Sequence, residues 1–172
     1  MTPKHPAALT ITERVLPALT VLNALYGTGI LLLLVASLVN PAALFAALAG
    51  RPATGDAIRG MRFLMIVGLA AVPVAHVILT RLRAMVMTVR AGDPFVVENA
   101  RRLNAIAIAV LALELLHLVV GVIVRSDTFA VLGIHIDWSF SFTPWVAVLL
   151  LFVLARVFEQ GARMRVDLEG TV

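Results

Sequence analysis

The chain has 172 residues, 61% hydrophobic and 14% charged, with a net charge of +4 and a mean hydropathy of +1.01. A water-soluble domain of this length cannot hide so much apolar surface, so lipid must stand in for part of the core. The absence of cysteine excludes disulfides, zinc–thiolate sites and cysteine nucleophiles. No basic run is interleaved with aromatics, so the positive charge is assigned to lipid headgroups, with no direct nucleic-acid binding.

Residues 1–14 are polar, with Lys4, His5, Glu13 and Arg14. The apolar run 15–39 exceeds a signal-peptide core and is long enough to cross the roughly 30 Å hydrocarbon layer, so it is read as a retained first span. Pro17, Asn23, Tyr26, Gly27 and Gly29 interrupt it. Pro41, Gly50, Pro52 and Gly55 then mark turns around a small helical piece at 42–49. The second span covers residues 61–80. Pro73 should bend it and free a carbonyl in the preceding turn, with His76 following. Beyond Thr80 the helix is predicted to continue as an amphipathic extension, with Leu82, Met85, Val86 and Val89 at helical spacing and Arg81, Arg83 and Arg90 pointing elsewhere.

Residues 91–103 are the strongest polar stretch, and they read as a helix stop followed by a helix start. Gly92 suits a left-handed helix end, Asp93 an N-cap, and Pro94 the first helical position. Phe95 should pack under the turn, and Glu98 lies one turn from Arg101 and Arg102, within reach of either. Residues 103–124 form the third span, with Glu114, His117 and Gly121 inside. Residues 134–143 alternate strictly, with Ile134, Ile136, Trp138, Phe140 and Phe142 on one side, and predict a strand with a hairpin partner at 128–132. Pro144 opens the fourth span, 144–158, whose helix should run on to about Leu168 with Val157, Gly161, Met164 and Leu168 as an apolar stripe.

The expected fold class is an all-α membrane protein, one integral domain over 1–172. It is a four-transmembrane-helix bundle with the second and fourth helices extended into the cytoplasm. A small extracytoplasmic β-hairpin joins the third and fourth. Four spans put both termini beside the 81–102 joint. That side holds ten Lys and Arg residues (Lys4, Arg14, Arg81, Arg83, Arg90, Arg101, Arg102, Arg156, Arg163, Arg165) against four on the other (Arg51, Arg59, Arg62, Arg125). The positive-inside rule then places the joint and both termini in the cytoplasm.

Glu114 and His117, three apart on one helix face, are the residues best suited to chemistry, since an ionisable group at bilayer depth points to function by default. At a rise of about 1.5 Å per residue, Glu114 and Tyr26 fall near the midplane. His76 and Asn23 lie roughly 6–8 Å to the cytoplasmic side, and His117 about 5 Å to the other. The two histidines are therefore too far apart to share a metal, and the second Glu-x-x-His of a di-metal site is missing. No metal, cofactor or catalytic set is expected. The plainer role for Glu114 is a hydrogen-bonded carboxyl that ties spans together through Tyr26, Asn23 or His76.

The joint Gly92-Asp93-Pro94-Phe95, Glu98-Asn99 and Arg102-Leu103 stands at a specific distance from the tail Leu154-Ala155-Arg156-Val157-Phe158-Glu159-Gln160-Gly161-Ala162 and the closing Thr171-Val172. On these motifs the chain resembles, over roughly residues 10–172, a bacterial membrane-protein family known as domain of unknown function 2975. The resemblance implies four spans and no agreed catalytic or binding residue. It also implies a cytoplasmic partner, a small helix-turn-helix regulator of the Cro/CI type encoded nearby. Val166 and Gly170 depart from the family's more acidic tail. The leading expectation is a non-enzymatic inner-membrane sensor or tether, able to form homo-oligomers. Its docking face would be Gly92, Asp93, Pro94, Phe95, Glu98, Asn99, Arg101, Arg102, Arg156 and Glu159. The alternative is transport or binding of a small molecule, ion or proton around Glu114, His117, His76, Tyr26 and Asn23.

Overall fold

The computed structural model describes residues 7–50, 54–124 and 138–169. These form five helices: α1 (Ala7–Val39), α2 (Pro41–Ala49), α3 (Gly55–Arg90), α4 (Val97–Val124) and α5 (Thr143–Glu169). Local backbone chemistry sets several of the ends. Asn40 caps α2 by accepting the amide of Ala43 at 3.0 Å, with Pro41 in the first turn and Gly50 left-handed (φ 67°) at the exit. Thr54 caps α3 in the same way through Ala57. At the other end of α3, Gly92 takes φ 83°, and the amides of Gly92 and Asp93 reach the carbonyls of Val89 and Thr88, both at 3.1 Å. That pair of bonds is the Schellman motif, and it needs a residue without a Cβ penalty at Gly92.

Four helices are long and apolar enough to cross a membrane. They stand in a row rather than closing into a bundle: α3 packs on α1, α4 on α3, and α5 on α4, while the short α2 touches α1. The open edges are strongly apolar, with Leu25 63% and Leu32 64% exposed on α1, and Leu149 65% and Val153 60% on α5. Apolar edges of this extent suit contact with lipid rather than water. The helices meet through small residues and a few polar bonds, which is how helices associate when lipid removes the hydrophobic drive. Between α1 and α3, Gly27 receives the Val72 side chain and Gly68 receives Ile30. Asn23 donates to the Val72 carbonyl at 3.1 Å, one turn from Gly27. The carbonyl that Pro73 deprives of its donor is that of Leu69; the one Asn23 engages belongs to the proline's own peptide bond. At the far end of the pair, Arg62 donates through Nε to the buried Ser37 hydroxyl at 2.8 Å and also to the Ser37 carbonyl.

On α5 the buried residues are Val148, Ala155 and Ala162, at seven-residue spacing, and this helix packs on α4. The expected stripe is split: Val157 and Met164 are exposed, Gly161 packs against Phe95, and the small Ala155 and Ala162 are buried instead, permitting close approach of helices. The helices do continue past the apolar stretches as single elements, to Arg90 and to Glu169.

The predicted strand is corrected where it can be seen. Residues 138–141 are irregular, and Thr143 already belongs to α5; residues 134–137 and the proposed partner 128–132 lie outside the described residues. Alternation supplies a side-chain spacing but does not specify a pairing strand, on which a strand's stability depends. The aromatic side chains instead cover helix ends. Trp138 stacks on His117 at 5.5 Å between ring centroids and donates to the His117 carbonyl at 3.2 Å. Phe140 packs edge-on against Phe142 at 4.9 Å and lies 6.5 Å from Trp145. A Cβ at Gly121 would come within 2.2 Å of the Trp138 indole. Gly121→Ala in a Trp145→Phe background is accordingly expected to expel the indole and change its emission; an unaltered spectrum would show that Trp138 does not sit there.

Candidate functional site

The joint between α3 and α4 is where the structure concentrates its polar bonds. Asn99 is fully buried. Its amide nitrogen donates to the Thr88 hydroxyl and to the Pro94 carbonyl, both at 2.8 Å, and its oxygen accepts from Arg102 at 2.8 Å. Arg102 also reaches the Ala84 carbonyl on α3 at 3.2 Å. With Asn99 donating to Thr88, the single hydroxyl proton of Thr88 goes to the Met85 carbonyl, 2.7 Å away in its own helix. One side chain thus binds the last turns of α3, the turn and the first turns of α4, with both amide protons used.

A second brace runs to α5. Asp93 forms an ion pair with Arg165, and Phe95 lies 5.2 Å from Phe158, its ring edge over Gly161. This changes two expectations. Asp93 does not cap a helix starting at Pro94: α4 begins at Val97, and the Asp93 carboxylate is drawn to Arg165. Glu98 pairs with neither arginine among the described residues, since Arg102 turns to Asn99 and Ala84.

Alongside lies a groove of about 670 Å³ between α4 and α5, lined by Val97, Ala100, Arg101 and Asn104 on one side and Phe152, Ala155, Arg156, Glu159 and Arg163 on the other. Glu159 sits just past the apolar stretch that ends at Phe158, bonded to Arg156 at 2.9 Å and to Arg163 at 2.7 Å. The guanidinium groups of Arg156 and Arg163 hold its carboxyl below the usual carboxylate range.

The intramembrane candidates are not gathered in one place. Asn23 and Tyr26 border an apolar groove between α1 and α3, whereas Glu114 and His117 are on α4, with α3 standing between. Tyr26, His76 and His117 are exposed and Glu114 half-buried. Among the described residues Glu114 has no hydrogen-bond or ion-pair partner, and no group of three potential metal ligands occurs. Thr88, Arg163 and Arg165 were not anticipated from sequence. Arg165 stands one turn beyond Gly161, against which Phe95 packs.

A row of four apolar helices with lipid-facing edges and polar bonds gathered at one end defines a multi-pass helical membrane protein. The family described as Protein of unknown function (DUF2975) matches residues 9–172, and the chain belongs to it. No curated protein and no solved structure matches the chain significantly.

Proposed function

We propose that this is a non-enzymatic tether or sensor of the bacterial inner membrane whose cytoplasmic joint end holds a soluble helix-turn-helix regulator. The observation that carries the reading is the bracing of three helices at one end through Asn99 and the Asp93–Arg165 pair. A docking face binds best when it is ordered beforehand, because ordering costs are then not taken from the affinity. Phe95, 45% exposed on that end, and the notch of about 250 Å³ bordered by Asp93, Glu98 and Arg165 offer an apolar contact beside both signs of charge. The excess of Lys and Arg on that side supports a cytoplasmic placement. The geometry favours docking over transport around Glu114, because α3 separates Glu114 from Asn23 and Tyr26.

Co-purification from detergent tests the reading. A helix-turn-helix regulator of the Cro/CI type should be retained by the wild type and lost on Phe95→Asp, with a carboxy-terminal tag unreachable from outside intact cells. No retention, with transcription unchanged in a deletion strain, removes the docking role; a tag accessible from outside removes the placement.

A further inference from the structure

We propose that the groove between α4 and α5 binds the headgroup of an anionic phospholipid from the leaflet at the joint end. The groove spans the boundary where the apolar stretch of α5 stops. Phe152 and Ala155 line it on the hydrocarbon side of Phe158, and Glu159 and Arg163 on the other, with Arg156 between them. On α4 the groove is lined at the joint end by Val97, Ala100 and Arg101, with Asn104 one turn further in. A cleft so placed presents apolar surface to the first acyl carbons and guanidinium groups to the phosphate of the same molecule.

The charges select the ligand. Arg101, Arg156 and Arg163 face a single carboxylate, Glu159, leaving two positive charges in excess. Glu159 engages one terminal nitrogen of Arg156 and one of Arg163. This holds the two side chains in place and leaves their remaining N–H groups for a phosphate, which a guanidinium binds with two parallel bonds. Arg101 has no hydrogen-bond or ion-pair partner among the described residues and is exposed to the groove. The N-terminal turn of α4 opens on the same space and adds the positive end of its dipole. A zwitterionic headgroup would bring an ammonium against three guanidinium groups, so phosphatidylglycerol suits the site and phosphatidylcholine does not. A free phosphate would leave the apolar wall unused. The site does not depend on the protein-docking reading, although Arg101, Arg156 and Glu159 serve both.

The test titrates the purified full-length protein in detergent with phosphatidylglycerol or phosphatidylcholine of identical chains and counts bound lipid by native mass spectrometry. Phosphatidylglycerol should bind more than about tenfold tighter, with Arg101→Gln and Arg163→Gln each removing about fivefold, the contribution of one basic side chain at an anionic surface. Arg59→Gln, at the opposite end, should change nothing, and unchanged melting of each variant excludes misfolding. Equal binding of the two lipids, or full selectivity in Arg101→Gln, overturns the proposal. So does competition by soluble glycerol phosphate at the concentration at which the lipid binds, because the groove would then read a free anion. If lipid selectivity holds and the regulator is not retained, the docking reading alone falls.

Discussion

Asn99→Leu is expected to lower stability by about 2–4 kcal/mol, the cost of leaving buried polar groups without partners. Leucine keeps the branched shape of asparagine with bulkier ends, so no cavity is left, and the loss combines the missing bonds with the strain of the larger methyls. The Pro94 carbonyl loses its side-chain donor, and Arg102 keeps Ala84 alone. Thr88→Val should cost less, because the Thr88 hydroxyl proton already serves Met85 within α3. The two substitutions together should fall short of the sum of the singles, as neighbours in one network do. Unfolding in mixed micelles by increasing the dodecyl sulfate fraction measures all three. An Asn99→Leu variant within about 0.5 kcal/mol of the parent, the range of an ordinary surface change, would remove Asn99 from its central place.

The second large effect is expected at Gly27. A Cβ there would meet the two γ-methyls of Val72 at 3.0 and 3.1 Å, and a β-branched side chain in a helix has little freedom to turn away. Gly27→Ala should therefore cost about 1 kcal/mol, and Gly27→Leu about 2–3 kcal/mol as α1 is pushed off α3 and the Asn23 bond to Val72 is pulled apart. Gly29, two residues on, has nothing within 4 Å of its ideal Cβ. Gly29→Leu should be neutral or stabilising by up to about 0.8 kcal/mol, from helix propensity alone. The same micelle titration compares them, and matching midpoints for the two leucine variants would refute the close seat at Gly27.

These two sites also show what the sequence made legible. The helices themselves, the turns at Pro41 and Gly50 around α2, and the stop at Gly92 were readable because each depends on residues within one turn. Asp93 was not, since its partner Arg165 lies far along the chain and draws the carboxylate from the cap it otherwise suits. Asn99 was marked as part of a motif, but its burial comes from α3 and α4 closing over it. The row of helices was hidden for a different reason: a leucine facing lipid and a leucine facing another helix look alike in sequence, so periodicity finds the crossings without finding their neighbours. Residues 138–141 are not a strand, and side-chain spacing alone says nothing about whether a second strand is there to pair with. Of the candidate site, the structure brings the joint residues Asp93, Phe95, Asn99 and Arg102 to one end, and Thr88, Arg163 and Phe152 join them only through packing.

The serial arrangement has a consequence for how the chain is made. Each long helix rests chiefly on the one synthesised just before it, so a new segment leaving the ribosome finds its seat already laid down in the bilayer. Native pairings are local in order of appearance, and assembly proceeds hairpin by hairpin without waiting for the far terminus. A ribosome stalled after α4 would leave α1, α3 and α4 already fitted together, with the Asn99 brace closed and the Asp93–Arg165 clasp still open.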